Sequence, residues 1–278
     1  MVVMETTIAG LNAVRAGSGP PMLLLHGIGH RWQAWTPLLD DLSRDFEVVA
    51  VDLPGFGKSP PLPSGVSLAG GVDGLARFMD ALGWDRAHLV GNSLGGWMAL
   101  ELGLRDRALS ICGLAPAGLW DDPAPIERRL RLLFTLWVGG ARRAGPAVNL
   151  LRFRAVRTVA LYGLFGKPWR VPGDIAIGDT RALATSAFDE TFEAGAGLRF
   201  SGGQSLDVPV TVAWCSRDPL FSPERCSVAE LCADARVEML HGCGHVPMWD
   251  DPPLVLDTIR STVEGAWRTP TVARRRSA

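Results

Sequence analysis

Apolar residues follow two patterns along this chain. In one pattern they form short continuous runs, which predict strands buried on both faces of a sheet, and in the other they recur every three or four positions, which predicts amphipathic helices. Because the two patterns alternate, the sequence predicts an α/β fold with a doubly wound, mostly parallel sheet. A weak alternation over residues 4–15 adds an edge hairpin. The predicted buried strands are residues 22–25, 47–52, 87–90, 109–114, 208–214 and 236–240, and the predicted core helices are residues 35–42, 68–82, 97–104, 223–232 and 252–267.

This alternation stops between residues 118 and 204. The segment shows helical spacing, best defined over residues 126–138, and no strand pattern is evident in it. We therefore predict a helical cap, residues 118–204, inserted after the sixth strand into a core formed by residues 1–117 and 205–267. The last residues, 268–278, include three consecutive arginines and predict a disordered basic tail.

A pentapeptide between a predicted strand and a predicted helix is the main candidate for chemistry. Gly91-Asn92-Ser93-Leu94-Gly95 fits the pattern G-x-S-x-G, in which small residues two positions before and after the serine let the chain reverse sharply. Such a turn lifts the hydroxyl of Ser93 above the sheet edge at the N-terminus of a helix. The same residues also fit a Gly-rich loop whose serine only caps the helix, so the surrounding sequence decides between the two.

Two residues after later strands supply the groups that a nucleophilic serine needs. A serine hydroxyl is a poor nucleophile at neutral pH unless a base lies within hydrogen-bond reach and a third group orients that base. His245 follows the last predicted strand in a Gly-rich loop and is the predicted base, and Asp218 follows the preceding strand and is the predicted orienting acid. The order Ser93, Asp218, His245 is the one expected for a serine on a strand-to-helix elbow.

The other four histidines are weaker candidates for the base. His88 lies within a predicted strand and is interpreted as structural, and His241 lies close to a strand end. His26 precedes the loop after the first buried strand, where it is placed to brace that loop, and His30 is placed to line a pocket. The position of His245 after the last strand therefore favours it over all four.

Acyl transfer also needs donors for the oxyanion that forms in the transition state. The backbone N–H of Leu94 is available at the start of the helix after Ser93, and the backbone N–H of Ile28 is available from the loop after the first buried strand. Apolar walls for the substrate are predicted from aromatic residues, although aromatic residues at such spacings also fit a plain core. These aromatic residues are Trp32, Trp35, Trp120, Phe134 and Trp137.

Charge and composition narrow the class of partner. The chain has 278 residues, of which 47% are hydrophobic and 21% charged, and its formal net charge is −1. This balance gives no electrostatic reason to expect nucleic acid or an anionic membrane, so we expect a small, apolar-to-amphipathic substrate. On helix 126–138 three arginines, Arg128, Arg129 and Arg131, could bind an acidic substrate, but a solvated helix face is the favoured interpretation.

The N-terminal residues and the spacing of the cysteines predict the cellular location and the state of the thiols. The first residues lack a basic region followed by an apolar core, and no apolar run has the length of a membrane span, so we expect a cytoplasmic protein without membrane insertion. The five cysteines are odd in number and form no C-x-x-C pair, which predicts neither a disulfide framework nor a zinc site. Cys112 and Cys215 are expected to pack inside strands as small apolar residues.

Taken together, several motifs in this order resemble the α/β-hydrolase superfamily, and most closely its cap-bearing branch of small carboxylesterases and meta-cleavage C–C hydrolases. The motifs are His26-Gly27-Ile28-Gly29, Asp52-Leu53-Pro54-Gly55-Phe56-Gly57-Lys58-Ser59, Gly91-Asn92-Ser93-Leu94-Gly95-Gly96, Ser216-Arg217-Asp218 and Gly242-Cys243-Gly244-His245-Val246-Pro247. The resemblance implies a hydrolase without a cofactor or metal, with Ser93, Asp218 and His245 as its triad and Ile28 and Leu94 as its oxyanion donors. It also implies that Asp52 is structural, and Cys215 stands where many relatives have glycine.

Three functions follow from this resemblance. The leading hypothesis is hydrolysis of a small or medium carboxylic ester through an acyl-enzyme on Ser93. The second is C–C bond hydrolysis of a meta-cleavage product, although those relatives carry a longer Gly-rich stretch with Gly-Pro, which His26–Arg31 lacks. The third is a ligand-binding protein that kept the fold without turnover. A serine at the elbow, where haloalkane dehalogenases and epoxide hydrolases use aspartate, argues against both of those activities.

Overall fold

The computed structural model describes residues 4–221 and 226–268. Within these residues eight strands form one sheet, and eight α-helices and four short 3₁₀ helices surround it. The strands are β1 (Glu5–Ile8), β2 (Leu11–Ala16), β3 (Pro21–Leu25), β4 (Glu47–Val51), β5 (Ala87–Asn92), β6 (Ala108–Leu114), β7 (Val210–Cys215) and β8 (Arg236–Leu240). The α-helices are α1 (Thr36–Leu42), α2 (Leu68–Ala81), α3 (Leu94–Leu104), α4 (Pro123–Ala144), α5 (Arg154–Ala160), α6 (Gly173–Thr185), α7 (Phe188–Gly195) and α8 (Pro252–Arg268). The 3₁₀ helices are Trp32–Trp35, Gly145–Arg152, Pro168–Arg170 and Gly203–Ser205.

The order of the strands determines where a site can form. The sheet runs β1-β2-β4-β3-β5-β6-β7-β8. Strands β3 to β8 are parallel to one another, whereas β2 is antiparallel to β4 and β1 is antiparallel to β2. The chain goes from β3 to β4 on one side and then to β5 on the other, so β3 and β5 flank a topological switch point. Ligands of such sheets bind beyond the carboxyl ends of the strands at this point.

Burial explains why the central strands carry continuous apolar runs. Leu23, Leu24 and Leu25 in β3 are inaccessible to solvent, and every residue of β5 and β7 is buried. Helix α3 packs on β3, β5 and β6 and is covered by α2, while α8 packs on β6 and β7 and contacts α1. Cys112 and Cys215 lie buried in β6 and β7, as their positions predicted.

Between β6 and β7 the chain forms what we call the helical segment, residues 118–204, which contains α4 to α7. Ion pairs join α4 to α7, between Arg131 and Glu193 and, at 2.7 Å, between Arg142 and Asp189. These side chains are half exposed, as a solvated helix face predicts. In the described ranges no helix combines the length and the apolarity needed to cross a membrane.

One predicted helix is wrong and one prediction lies outside the structure. Of the predicted helix 223–232, residues 223–225 are not among the described residues, and the rest forms turns and a β-bridge instead. Cys226 bridges Trp120, and the N–H of Ser227 donates to the carbonyl of Leu119 at 2.8 Å, so pairing with a distant segment overrides the local helical spacing. Of the predicted basic tail, residue 268 ends α8 and residues 269–278 lie outside the described residues.

Candidate active site

The turn between β5 and α3 has the backbone geometry of a nucleophile elbow. Ser93 has φ 53° and ψ −117°, a strained conformation for a residue with a side chain. A Cβ at Gly91 would overlap the carbonyl oxygen of Gly95, and a Cβ at Gly95 would overlap that of Leu25. Only glycine therefore fits at both positions, which is the physical content of the G-x-S-x-G pattern.

The loop after β3 lies directly against this serine. A Cβ at Gly27 would lie 3.2 Å from the Cβ of Ser93, and Ile28, Ser93 and Leu94 line one cavity. Leu94 is the first residue of α3, where backbone N–H groups have no acceptor within the helix. The structure thus brings both predicted oxyanion donors to the wall of the cavity that holds Ser93.

The predicted base and acid are in direct contact. Nδ1 of His245 lies 2.7 Å from Oδ2 of Asp218, and the two side chains are 6% and 0% exposed. The other carboxylate oxygen, Oδ1, accepts hydrogen bonds from the N–H groups of Leu220 at 2.7 Å and Phe221 at 3.3 Å, which fixes its orientation. Because a carboxylate only accepts, Nδ1 carries the proton of the neutral imidazole and Nε2 is left with a lone pair.

The loop of His245 is held to the serine turn by the residue before the serine. The side-chain Nδ2 of Asn92 donates to the carbonyl of His245 at 2.8 Å and to the carbonyl of Leu114 at 3.0 Å. The ring of Phe221 packs edge-on against the imidazole of His245, with 5.1 Å between the ring centroids. These contacts place the three predicted residues at one edge of the sheet.

A second layer of hydrogen bonds supports the loop after β3. Nε2 of His26 accepts from the N–H of Leu53 at 2.9 Å, and its Nδ1 lies 2.8 Å from the carbonyl of Gly27. Burial lowers the pKa of His26 to about 4, so this imidazole is neutral and can donate and accept at once. His26 therefore braces the loop, as its position in the sequence indicates.

Asp52 has a structural environment as well. Its Oδ1 accepts from the N–H of Trp32 at 2.7 Å, and its Oδ2 accepts from Nδ2 of Asn12 at 2.8 Å and the N–H of Lys58 at 2.9 Å. Gly57 packs so closely on this carboxylate that a Cβ would overlap it. The loop after β4 thus folds around the carboxylate of Asp52, and its hydrogen bonds indicate a structural role.

Asp250 supports the candidate site through hydrogen bonds, and its position was not predicted from the sequence. Its carboxylate is completely buried and accepts from the N–H groups of Gly244 at 2.7 Å, Gly166 at 2.7 Å and Lys167 at 2.6 Å. Burial raises the pKa of Asp250, while the backbone N–H groups oppose this shift. The carboxylate ties the loop of His245 to the helical segment. The available signal was an acidic residue placed among apolar residues and prolines shortly after His245.

The other histidines and the predicted aromatic walls take several positions. Nδ1 of His88 lies 2.8 Å from Oγ of Ser110 inside the sheet, and His241 is exposed.

The cavity at Ser93 has a volume of about 60 Å³, and Trp120 and Phe134 line it. Phe134 and Trp137 line a neighbouring cavity, whereas Trp35 belongs to the core and Nε1 of Trp32 donates to Glu5.

Comparison with known proteins agrees with this geometry. A profile of the α/β-hydrolase fold matches residues 20–252. The chain belongs to the α/β-hydrolase family. Across the described residues, no three His, Cys, Asp or Glu side chains cluster as ligands for a metal ion.

The relatives of this α/β hydrolase carry several activities in their names. Epoxide hydrolase EphH from Mycobacterium tuberculosis is 35% identical over 205 residues, which cover 69% of this chain and 93% of that protein. A 2-hydroxy-6-oxo-6-phenylhexa-2,4-dienoate hydrolase from Burkholderia cepacia is 28% identical over 255 residues, 84% of each chain. Naproxen esterase (carboxylesterase NP) from Bacillus subtilis has a similar fold, with a TM-score of 0.75 over 94% of this chain and 91% of its own at 20% identity. The family is therefore clear, and the reaction has to be argued from the site.

Proposed function

We propose that this α/β hydrolase cleaves small or medium carboxylic esters through an acyl-enzyme. The observation that carries the proposal is the arrangement of Ser93 on its strained elbow beside a hydrogen-bonded His245–Asp218 pair. The core is proposed to comprise residues 1–117 and 205–267, with the helical segment acting as its cap. In the same proposal Ile28 and Leu94 supply the oxyanion donors.

The proposed reaction has two halves, acylation of Ser93 and hydrolysis of the acyl-enzyme, and His245 transfers a proton in both. Oγ of Ser93 attacks the ester carbonyl carbon while its proton passes to Nε2 of His245, and the N–H groups of Ile28 and Leu94 stabilise the oxyanion. The C–O bond then breaks, and the leaving alcohol takes the proton from Nε2. Water attacks the acyl-enzyme with His245 as base, which releases the acid and restores Ser93. Asp218 holds the imidazole in the required tautomer throughout.

The epoxide hydrolase among the relatives suggests a different reaction, which the elbow residue disfavours. If the oxygen of Ser93 opened an epoxide, the product would be an alkyl ether with no carbonyl for water to attack. The enzyme would then stop after one turnover. A carboxylate nucleophile forms an ester instead, which water can hydrolyse. Ser93 is therefore suited to substrates that already contain an acyl group.

C–C bond hydrolysis is the second candidate, because a dienoate hydrolase is among the relatives. Such a substrate carries a carboxylate, and the mostly apolar cavity at Ser93 includes the acidic side chain of Glu127. Because like charges repel, this lining favours an uncharged ester over a dienoate. Measuring the loss of dienoate absorbance beside ester hydrolysis separates the two activities.

Hydrolysis of p-nitrophenyl esters of increasing acyl length tests the proposal. Ser93→Ala and His245→Ala are expected to lose at least about a thousandfold in kcat/KM, because the triad acts as a unit. His241→Ala is the matched control, since this histidine is exposed and belongs to the same loop. Unchanged ester hydrolysis in Ser93→Ala would overturn the proposal. Failure of a fluorophosphonate to label Ser93 would instead favour a protein that binds its ligand without turnover.

A further inference from the structure

A second cavity lies beside the one that holds Ser93. It has a volume of about 70 Å³ and shares Ile28 and Phe134 with the first cavity, so the two meet at the loop after β3 and at α4. Most of its wall is apolar and comes from the helical segment. The polar side chains on its wall are those of His30, Asp179 and Thr180.

The side chain of His30 lines this cavity and makes no hydrogen bond. Its Nδ1 is buried and has no hydrogen-bond partner, while its backbone N–H is already used by the carbonyl of Gly27 at 3.1 Å. Burial lowers the pKa of His30 despite the opposing effect of Asp179, which favours the neutral imidazole. An imidazole without a partner on an otherwise largely apolar wall is a place where a ligand can form a hydrogen bond.

The other two polar groups are already engaged. Nε of Arg31 donates to Oδ1 of Asp179 at 2.6 Å, and these two side chains are mostly buried. Oγ1 of Thr180 donates to the carbonyl of Ala176 at 2.8 Å. The charge of Arg31 is thus neutralised, and the carboxylate of Asp179 disfavours an anionic ligand in this space. The cavity fits an uncharged group that forms one hydrogen bond.

The position of His245 indicates which part of the ester, acyl or alcohol, the second cavity holds. In the proposed reaction the leaving alcohol takes its proton from His245, so the alcohol oxygen must lie next to that imidazole. The second cavity adjoins the loop of His245, because the N–H of Val246 donates to the carbonyl of Leu164 at 3.0 Å and Leu164 lines the cavity. We propose that this second cavity is the alcohol subsite and that it takes a short, uncharged alcohol whose distal hydroxyl hydrogen bonds with the imidazole of His30. This inference rests on the proposed ester hydrolysis.

The size of the cavity sets the length of the alcohol. A volume of about 70 Å³ is several times the roughly 10–15 Å³ that a cavity needs to hold one water molecule. That is enough for a chain of about five non-hydrogen atoms. A 3-hydroxypropyl ester places its hydroxyl at the end of such a chain, and a butyl ester has the same length with a methyl group in its place.

Two pairs of esters of equal size test the subsite. In the alcohol pair, 3-hydroxypropyl acetate is compared with butyl acetate, and in the acyl pair, ethyl 3-hydroxybutanoate is compared with ethyl 3-methylbutanoate. For each pair we take the ratio of kcat/KM for the hydroxylated ester to kcat/KM for its methyl counterpart. In His30→Leu this ratio should fall about tenfold for the alcohol pair and stay unchanged for the acyl pair. Hydrolysis of butyl acetate should change less than that of 3-hydroxypropyl acetate. His241→Leu is the control, because this histidine is exposed and does not line the cavity.

Several results would overturn the subsite. These are an unchanged ratio in His30→Leu, an equal fall for both esters of the alcohol pair, or an effect confined to the acyl pair. Labelling of Ser93 by a fluorophosphonate at the wild-type rate verifies that His30→Leu is folded. If the wild type hydrolyses none of the esters, the proposed function fails by itself. The subsite is then judged by NMR titration with 1,3-propanediol and 1-butanol, whose affinity ratio must still differ between wild type and His30→Leu.

Discussion

The side-chain amide of Asn92 lies 2.8 Å from the carbonyl oxygen of His245, although the two residues are 153 positions apart in the chain. The same amide donates to the carbonyl of Leu114 at the end of β6. The residue that precedes the candidate nucleophile thus fixes the loop of the candidate base. The position of that loop depends on Asn92 and on the sheet as well as on the contact between His245 and Asp218.

Replacing Asn92 tests this connection. Asn92→Ala leaves the carbonyl of His245 without its donor and removes one of the two donors to the carbonyl of Leu114, so we expect a loss of about 1–3 kcal/mol in the free energy of unfolding. We also expect kcat to fall, because small displacements of a catalytic group are costly. Urea denaturation and ester hydrolysis measure the two effects. Asn149→Ala, at an exposed site on the helical segment, should change neither, and wild-type kcat in Asn92→Ala would refute the coupling.

The glycines of the elbow give a second prediction. Gly95→Ala places a Cβ on the carbonyl oxygen of Leu25, and the central strand cannot move aside. We expect a loss of more than about 3 kcal/mol in unfolding free energy, or no folded protein at all. Gly140→Ala is the matched control, since it lies in α4 with no atom within 4 Å of the added Cβ. That variant should gain about 0.5–1 kcal/mol from helix propensity, and equal thermal stability of the two variants would contradict the account.

Asp250 and its neighbour Asp251 offer a third test. Asp250→Asn replaces an oxygen that accepts backbone N–H groups with an amide nitrogen, so we expect a loss of about 2–3 kcal/mol in unfolding free energy. We expect kcat to fall about tenfold or more, because the loop of His245 loses its anchor. Asp251→Asn loses only a partly exposed ion pair with Lys167 and should stay within about 0.5 kcal/mol of wild type. The two variants are compared by chemical denaturation and steady-state kinetics.

Stability should also fall in acid because of the buried histidines. Burial lowers the pKa of His88 to about 4, so below about pH 6.5 the unfolded chain binds a proton that the folded protein excludes. This effect removes stability as pH falls from about 6.5 to 4 and levels off below that range. At roughly 1.4 kcal/mol per unit of pKa, His88 accounts for a loss of about 2.5 kcal/mol at pH 4.5.

Substitution of His88 isolates its share of this acid effect. His88→Gln keeps a group that can pair with Ser110 but does not titrate, so its loss of stability between pH 7 and 4.5 should be smaller than that of wild type by about the amount given above. Burial also lowers the pKa of His26 to about 4, so His26 should still cause the rest of the stability loss in His88→Gln. Urea denaturation at both pH values measures the difference. His241→Gln, at an exposed site, should follow wild type, and the prediction fails if His88→Gln does so too.

Much of the fold could be predicted because its signals are local. The continuous apolar run in β3 and the turn residues around Ser93 indicate the sheet, since burial on both faces and a sharp turn each restrict composition. Asp218 and His245 were predicted from their positions after consecutive strands, and the structure places them in hydrogen-bond contact. Their roles, like that of Ser93, remain predictions until activity is measured.

Other features could not be predicted, because they depend on partners far away in the chain. Asp250 binds backbone N–H groups more than 80 positions earlier, and a backbone partner leaves no side-chain pattern to recognise. The predicted helix at 223–232 gives way to the pairing of Cys226 with Trp120. Helical spacing identified the apolar face that includes Phe134, but not that this residue would line two cavities.

The anchor at Asp250 has a consequence for exchanging parts between relatives. The carboxylate holds the helical segment through the N–H groups of Gly166 and Lys167, and N–H groups are present in nearly every residue type. The main sequence requirement is Gly166, because a Cβ there would lie 2.5 Å from the carbonyl oxygen of Gly242. Helices α4, α6 and α7 can therefore diverge, or be replaced by design, while residues 164–170 keep His245 in position. The lining of the cavity at Ser93 can then change while the contact between His245 and Asp218 is kept.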